Sequence, residues 1–203
     1  MKHDRQPLLR LRNSKVIDSK GQPLLVFRGE HGPIVKERIF HTRLGSISFG
    51  SKSAAKLYSN IPNYRSDIVS HSRVISSYLS INNPVVNRPF DPFVDFTEII
   101  AAIGFDKSKE IALRLSCYIE NTNNWTDKIQ YGHESVVEFI NSIDDALEHL
   151  YVDAYAIFDE AEFVKWFSDV GFDGAIHGGS GMTAGEPEYK IFSSSQALSC
   201  KII

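Results

Sequence analysis

Apolar residues fall into strand-length runs toward both ends of the chain and into helix-spaced series between them. Leu24 to Phe27 is a continuous apolar run after the turn Lys20-Gly21-Gln22-Pro23. That pattern predicts a strand buried on both faces and closed by Arg28 and Gly29. Ser46 to Phe49 alternates small and apolar residues between Gly45 and Gly50, which predicts a short strand. Ser51 or Ser53 then caps a helix carrying Ala54, Ala55, Leu57 and Tyr58. After a polar loop, Arg73 to Val85 reads as another strand, ending at Asn83-Pro84.

Pro84, Pro89 and Pro92 make the next stretch irregular. A helix is predicted over Lys107 to Ile119, with Asp106 as its cap and Ile111, Leu115 and Ile119 on one face. From Glu134 to Tyr151 the clearest helical pattern appears: Val136, Phe139, Ile140, Ile143, Leu147 and Leu150 recur at spacings of three and four. Asp159 and Glu162 have the spacing of a capping box for a helix over Glu160 to Val170, with Phe158 and Phe163 as its hydrophobic staple. Trp125, in the polar stretch NTNNWTDK, reads as an exposed aromatic available to a partner.

The last third centres on Gly171 to Phe192. Gly171 to Ile176 predicts a tight turn and a short buried strand, and Tyr189 to Phe192 alternates as a strand does. Between them His177 to Gly185 holds four glycines in nine residues, which predicts a loosely held loop. Glu186-Pro187-Glu188 follows, two carboxylates one residue apart and on one face. Pro187 cannot donate to a sheet ladder, so this strand should begin at an edge or a bulge. A solvated acidic hairpin tip is the plain reading, and a delivered pair of carboxylates is the sharper one.

Composition narrows the classes. At 203 residues, 42% hydrophobic and 23% charged, the chain suits one domain, at most with an insertion. A formal charge of −3 argues against nucleic-acid binding driven by bulk electrostatics. Seven histidines without ligand spacing, and neither HExxH nor CxxC, give no metal site. Cys117 and Cys200 read as reduced thiols. No apolar run reaches membrane-span length, and Arg10 and Arg12 interrupt the apolar N-terminal stretch, so no Sec signal is expected. A cytoplasmic protein follows as the expectation.

Three separated stretches resemble one family. SKVIDSKGQPLLVFRG, GSISFGSKSAAKLYS and GFDGAIHGGSGMTAGEPEYKIFSSSQALS are similar, in order, to the blocks of the ADP-ribosyltransferase-like domains of phage polyvalent proteins. The resemblance covers about half the chain, and the segment around 90–151 reads as a helical insertion of unrecognised type. Two positions depart together from the histidine–tyrosine–glutamate pattern of that superfamily: Arg28 stands at the histidine and Ser48 at the tyrosine. With Glu188 preceded by Glu186, the set matches the arginine–serine–glutamate class.

The resemblance implies an α+β fold, a split antiparallel β-sandwich with flanking helices. It implies a mono-ADP-ribosyltransferase that moves ADP-ribose from NAD to a side chain of a target protein, with release of nicotinamide and no metal. Glu188, Glu186 and Arg28 would be catalytic; Arg28, Gly29, Ser46, Ser48, Phe49 and Tyr58 would hold the dinucleotide. The residue chemistry suits these roles. Arginine offers a rigid bidentate fork to a phosphate, and glycine lets a ligand approach the backbone. Serine can hold the arginine in register, and a carboxylate stabilises an oxocarbenium-like ribose. Glu186 would orient or deprotonate the acceptor. Delivery into a host cell, by phage injection or as a secreted effector, is a further implication. An NAD glycohydrolase and a non-catalytic interaction module on the same fold are the alternatives.

Overall fold

The turn at Gly21, with φ 74°, is closed by the Asp18 carboxylate accepting from the backbone of Lys20 and Gln22 at 2.8 and 2.9 Å. It launches β1 (Leu25–Glu30). Residues 10–30, 40, 42, 44–60 and 72–203 are described in the computed structural model; the polar loop at 61–71 and the first nine residues lie outside them. β1 runs three residues further than the apolar run, to Glu30, so Arg28 and Gly29 sit within the strand. It is also an edge strand with Leu25 exposed, not one buried on both faces.

β2 (Ile47–Phe49) and α1 (Lys52–Ser59) follow as predicted, with Ser51 as the cap accepting from the backbone of Ala54 at 3.1 Å. β3 (Arg73–Leu79) stops earlier than predicted, and Pro84 opens a new strand, β4 (Pro84–Arg88). The break is local chemistry: the Asp173 carboxylate accepts from the backbone N–H groups of Asn82 and Asn83, both at 2.8 Å, and turns the chain. β5 (Phe93–Asp95) leads into α2 (Phe96–Ile103), α3 (Phe105–Arg114) and α4 (Ser116–Ile119). The single helix predicted over Lys107 to Ile119 is therefore two, and its cap is Gly104, with Asp106 in the first turn.

The series from Glu134 to Tyr151 is not one helix. α5 (Val136–Ser142) ends at Ile143, a 3₁₀ turn spans Ala146–His149, and β6 is Tyr151–Asp153. α6 (Ala154–Phe158) and α7 (Ala161–Asp169) follow. Glu160 caps α7 without a side-chain bond, so the predicted capping box is absent; Asp159 and Glu162 are committed elsewhere, to Lys190 and Arg114. Trp125 is buried in a π-helical turn against Phe139, not exposed.

β7 (Gly174–Gly178), β8 (Pro187–Ile191) and β9 (Ala197–Ile202) close the chain. Two sheets share one core. The antiparallel sheet β1-β3-β9 contributes Val26, Ile75 and Leu79; the sheet β2-β8-β7-β4 contributes Ile47, Phe49, Ile176, Tyr189 and Ile191. The second sheet is mixed, not antiparallel throughout, because β4 runs parallel to β7. A separate two-stranded sheet, β5-β6, belongs to the inserted segment. The molecule is thus an α+β protein with mixed and antiparallel sheets. The helices α2 to α5 enclose a second core that also takes in Val86, Ala175, Phe158, Phe163 and Phe167. Gln196 ties the ends together, donating to the carbonyls of Ser80 and Asp173 at 2.9 and 2.6 Å.

Candidate active site

β1 and β2 meet through a bridge between Phe27 and Gly50, whose backbones exchange hydrogen bonds of 2.9 and 2.8 Å. That junction holds the two sheets together at one end and opens a cleft of about 390 Å³ beside it. The volume lies within the range of small-molecule sites, about 300–1,000 Å³. Arg28, Gly29, Ser48, Phe49, Tyr58 and Glu188 all line it, although they come from three stretches far apart in sequence.

Arg28 is held in place from two directions. Its Nε donates to Glu30 at 2.8 Å and its NH1 to the backbone carbonyl of Ser48 at 3.1 Å. The register between arginine and serine is therefore made through the serine's backbone, where the sequence suggested its hydroxyl. Glu30 also pairs with Arg73 at 2.6 Å, and both side chains are nearly buried. Arg28 itself lines the cleft, and a guanidinium held in place there suits an anionic ligand.

Gly29 serves packing. A Cβ there would stand 2.1 Å from the carbonyl oxygen of Ala55 and 2.8 Å from the backbone nitrogen of Ser59, so the bare backbone lets α1 lie directly on β1. Ser46 is buried behind β2, does not line the cleft, and its hydroxyl lacks a partner among the described residues. Phe49 is buried at the cleft wall, while Tyr58 on α1 is half exposed at its mouth.

The two carboxylates part company. Glu188 lies inside β8, opposite His177 of β7, and is 8% exposed. Pro187 precedes it where the ladder to β2 has already ended, since Phe49 pairs with Tyr189; its missing donor costs nothing there. Glu186 lies outside the strand and the cleft lining. It accepts hydrogen bonds from Ser51, the cap of α1, and from Ser53 at 3.5 Å. The glycine-rich loop between β7 and β8 is less loose than its composition suggests. Gly179 donates to the Glu186 carbonyl at 2.8 Å, Glu186 to the Thr183 carbonyl at 3.0 Å, and a 3₁₀ turn fills Gly181–Thr183.

Sequence reasoning missed the groups around Glu188. Tyr155 of α6 donates its hydroxyl to Glu188 Oε1, and Thr183 donates to the same oxygen at 2.8 Å. Burial, and then the negative charge of Glu188, push the Tyr155 hydroxyl well above the ordinary tyrosine range, so it stays a neutral donor. Beneath it Lys190 is fully buried, paired with Asp159, its Nζ 4.5 Å from the Tyr155 ring centroid. His177 packs edge-on to Tyr155 at 5.3 Å and donates from Nδ1 to the Gly178 carbonyl at 2.7 Å. Burial pulls its pKa down to about 4. The signal available in sequence was slight: Lys190 falls on the inward phase of an alternating strand, where a lysine requires a buried partner.

A cavity of about 570 Å³ lies in the inserted segment, lined by Asn124, Lys128, His133 and His149 among others, and gathers none of the candidate site residues. Both cysteines are free, Cys117 at the surface. Among the described residues no helix is long and apolar enough to cross a membrane. No protein-family model, curated protein or solved structure matches this chain.

Proposed function

We propose that this chain is a mono-ADP-ribosyltransferase of the arginine–serine–glutamate kind, built on a split sandwich like that of the ADP-ribosyltransferases and acting on NAD. The observation that carries the reading is the convergence of Arg28, Gly29, Ser48, Phe49, Tyr58 and Glu188 on one cleft between two sheets. Their chemistry fits the dinucleotide. The Arg28 guanidinium, held by Glu30 and the Ser48 carbonyl, offers a donor fork for a pyrophosphate. Phe49 and Tyr58 offer aromatic faces for a nicotinamide. Glu188, buried in β8 at the cleft, stands ready to stabilise positive charge developing on a ribose as the glycosidic bond to nicotinamide breaks. A side chain of a target protein then takes the ADP-ribose.

Labelled NAD incubated with the protein and candidate lysates tests this directly. Transfer of label to protein, with nicotinamide released, is the expected result. Glu188→Gln should reduce nicotinamide release on the order of 100-fold, the usual cost of losing one preorganised electrostatic group. Unchanged NAD consumption by that variant would remove Glu188 from the chemistry.

One observation favours a second reading, an NAD glycohydrolase. Glu186, the group expected to orient a protein acceptor, is tied to Ser51 and Ser53 outside the cleft lining, which leaves water as an acceptor needing no such group. Steady nicotinamide release without labelled protein in any lysate would select it.

A further inference from the structure

Tyr155 belongs to none of the three stretches that carry the family resemblance; it enters from α6, directly after the inserted segment. Its hydroxyl nevertheless makes the closest approach to the Glu188 carboxylate among the described residues. Thr183, from the loop between β7 and β8, reaches the same oxygen. The threonine has one proton and three oxygens nearby: Glu188 Oε1 at 2.8 Å, the Ser180 carbonyl at 3.1 Å and the Tyr155 hydroxyl at 3.2 Å. The shortest of these contacts goes to the carboxylate. Both donors thus converge on Oε1, and neither addresses Oε2.

Tyr155 is in turn held through both its backbone and its ring. Its backbone N–H donates to the Asp153 carboxylate at 2.8 Å, which caps α6. The ring stands at 84° to the His177 ring, and the Lys190 ammonium lies over it, itself fixed by Asp159. A buried cation held against a tyrosine face by its own counter-ion is an expensive arrangement to maintain unless the ring's position matters.

We infer that Tyr155, with Thr183 as its second, is the positioning residue for Glu188, fixing one carboxylate oxygen so that the other is presented to the cleft. The inserted segment is then part of the active site's construction. β6 and the Asp153 cap set α6, α6 sets Tyr155, and Tyr155 sets the rotamer of Glu188. Because burial keeps the hydroxyl protonated well above neutral pH, the donor persists across the working range. A carboxylate locked in this way requires no reorganisation when positive charge develops beside it, which is the source of its catalytic value.

The inference rests on the NAD-consuming reading above, and the experiment separates the two. Nicotinamide release is measured for the wild-type chain, Tyr155→Phe, Thr183→Val, Glu188→Gln and the double variant Tyr155→Phe/Glu188→Gln, with thermal melting of each. Expected is a loss of about tenfold to a hundredfold in kcat for Tyr155→Phe, the scale of one hydrogen bond to a charged group. KM for NAD should stay within about threefold, because the tyrosine acts on charge that develops after binding. Thr183→Val should show the same split with a smaller loss, and it carries the test if Tyr155→Phe does not fold. In the Glu188→Gln background the tyrosine change should cost no more than about threefold further, since its effect passes through that carboxylate.

Losses that multiply in the double variant would overturn the inference, as a merely structural tyrosine predicts. So would a Tyr155→Phe enzyme within about twofold of wild type while Glu188→Gln is inactive; in that case the NAD-consuming reading stands and only the positioning role falls. A wild-type chain that consumes no NAD overturns both.

Discussion

His177 shows how much one buried side chain can contribute to pH dependence. It is fully buried, its Nε2 has no partner among the described residues, and its pKa is drawn from 6.5 down to about 4. Between those values the unfolded chain binds a proton that the folded chain refuses, so stability must fall as pH drops through that window. The full shift corresponds to about 3 kcal/mol. Urea titrations at pH 7 and 4.5 should show the loss, and His177→Gln should flatten it; an unaltered pH slope in that variant would place the effect elsewhere. At this scale the strand positions of Arg28, Ser48 and Glu188 were legible in the sequence, through an apolar run, flanking glycines and alternation. Tyr155 was not. It meets Glu188 across 33 positions of sequence, and no local pattern encodes a hydrogen bond between separate elements.

Among elements, α1 depends most visibly on a single residue. Ser51 caps it through the Ala54 N–H and at the same time donates to Glu186, joining the helix start to the β7–β8 turn. Ser51→Ala should cost about 1 kcal/mol in chemical denaturation. Ser53→Ala should cost under about 0.5 kcal/mol, because Ser53 is exposed and its hydroxyl meets the side chains of Ser51 and Glu186 without capping the helix backbone. Equal effects would show that the cap is not the operative contact. α1, β2, β7 and β8 could be read from sequence since each carries its own boundary signal: a cap, flanking glycines or a turn. The series from Glu134 to Tyr151 misled because burial at every third or fourth position also suits a helix, a 3₁₀ turn and a strand laid over one core. Asp144 and Asp145 held the missed signal: aspartate is a weak helix former that favours turns and helix starts, and Asp145 stands at the start of the 3₁₀ turn.

The described residues form two cores, and the inserted segment owns most of the second. Val86 of β4, Ala175 of β7, and Phe158, Phe163 and Phe167 of α6 and α7 are all buried against it. Large apolar side chains contribute about 1.5–3 kcal/mol each when buried, and total stabilities are about 5–15 kcal/mol. Replacing residues 90–151 by a short flexible linker should therefore abolish cooperative unfolding and collapse amide dispersion in NMR spectra. A folded product from that deletion would mean that the two sheets suffice alone. The partition of the chain was legible only as an absence: the middle segment matched no block of the resemblance, and nothing in its own pattern revealed that β4, α6 and α7 lean on it.

Gly29 ends as a lesson in sequence variation. With Ala55 O only 2.1 Å from where its side chain would begin, any replacement must push α1 away from β1, and with it the cleft wall that carries Tyr58. Selection on turnover would purge variants at this position as thoroughly as at Glu188, and the two would look alike in a set of surviving sequences. They would differ in kind: under the proposed function one position would be held by chemistry, the other by two backbones that touch.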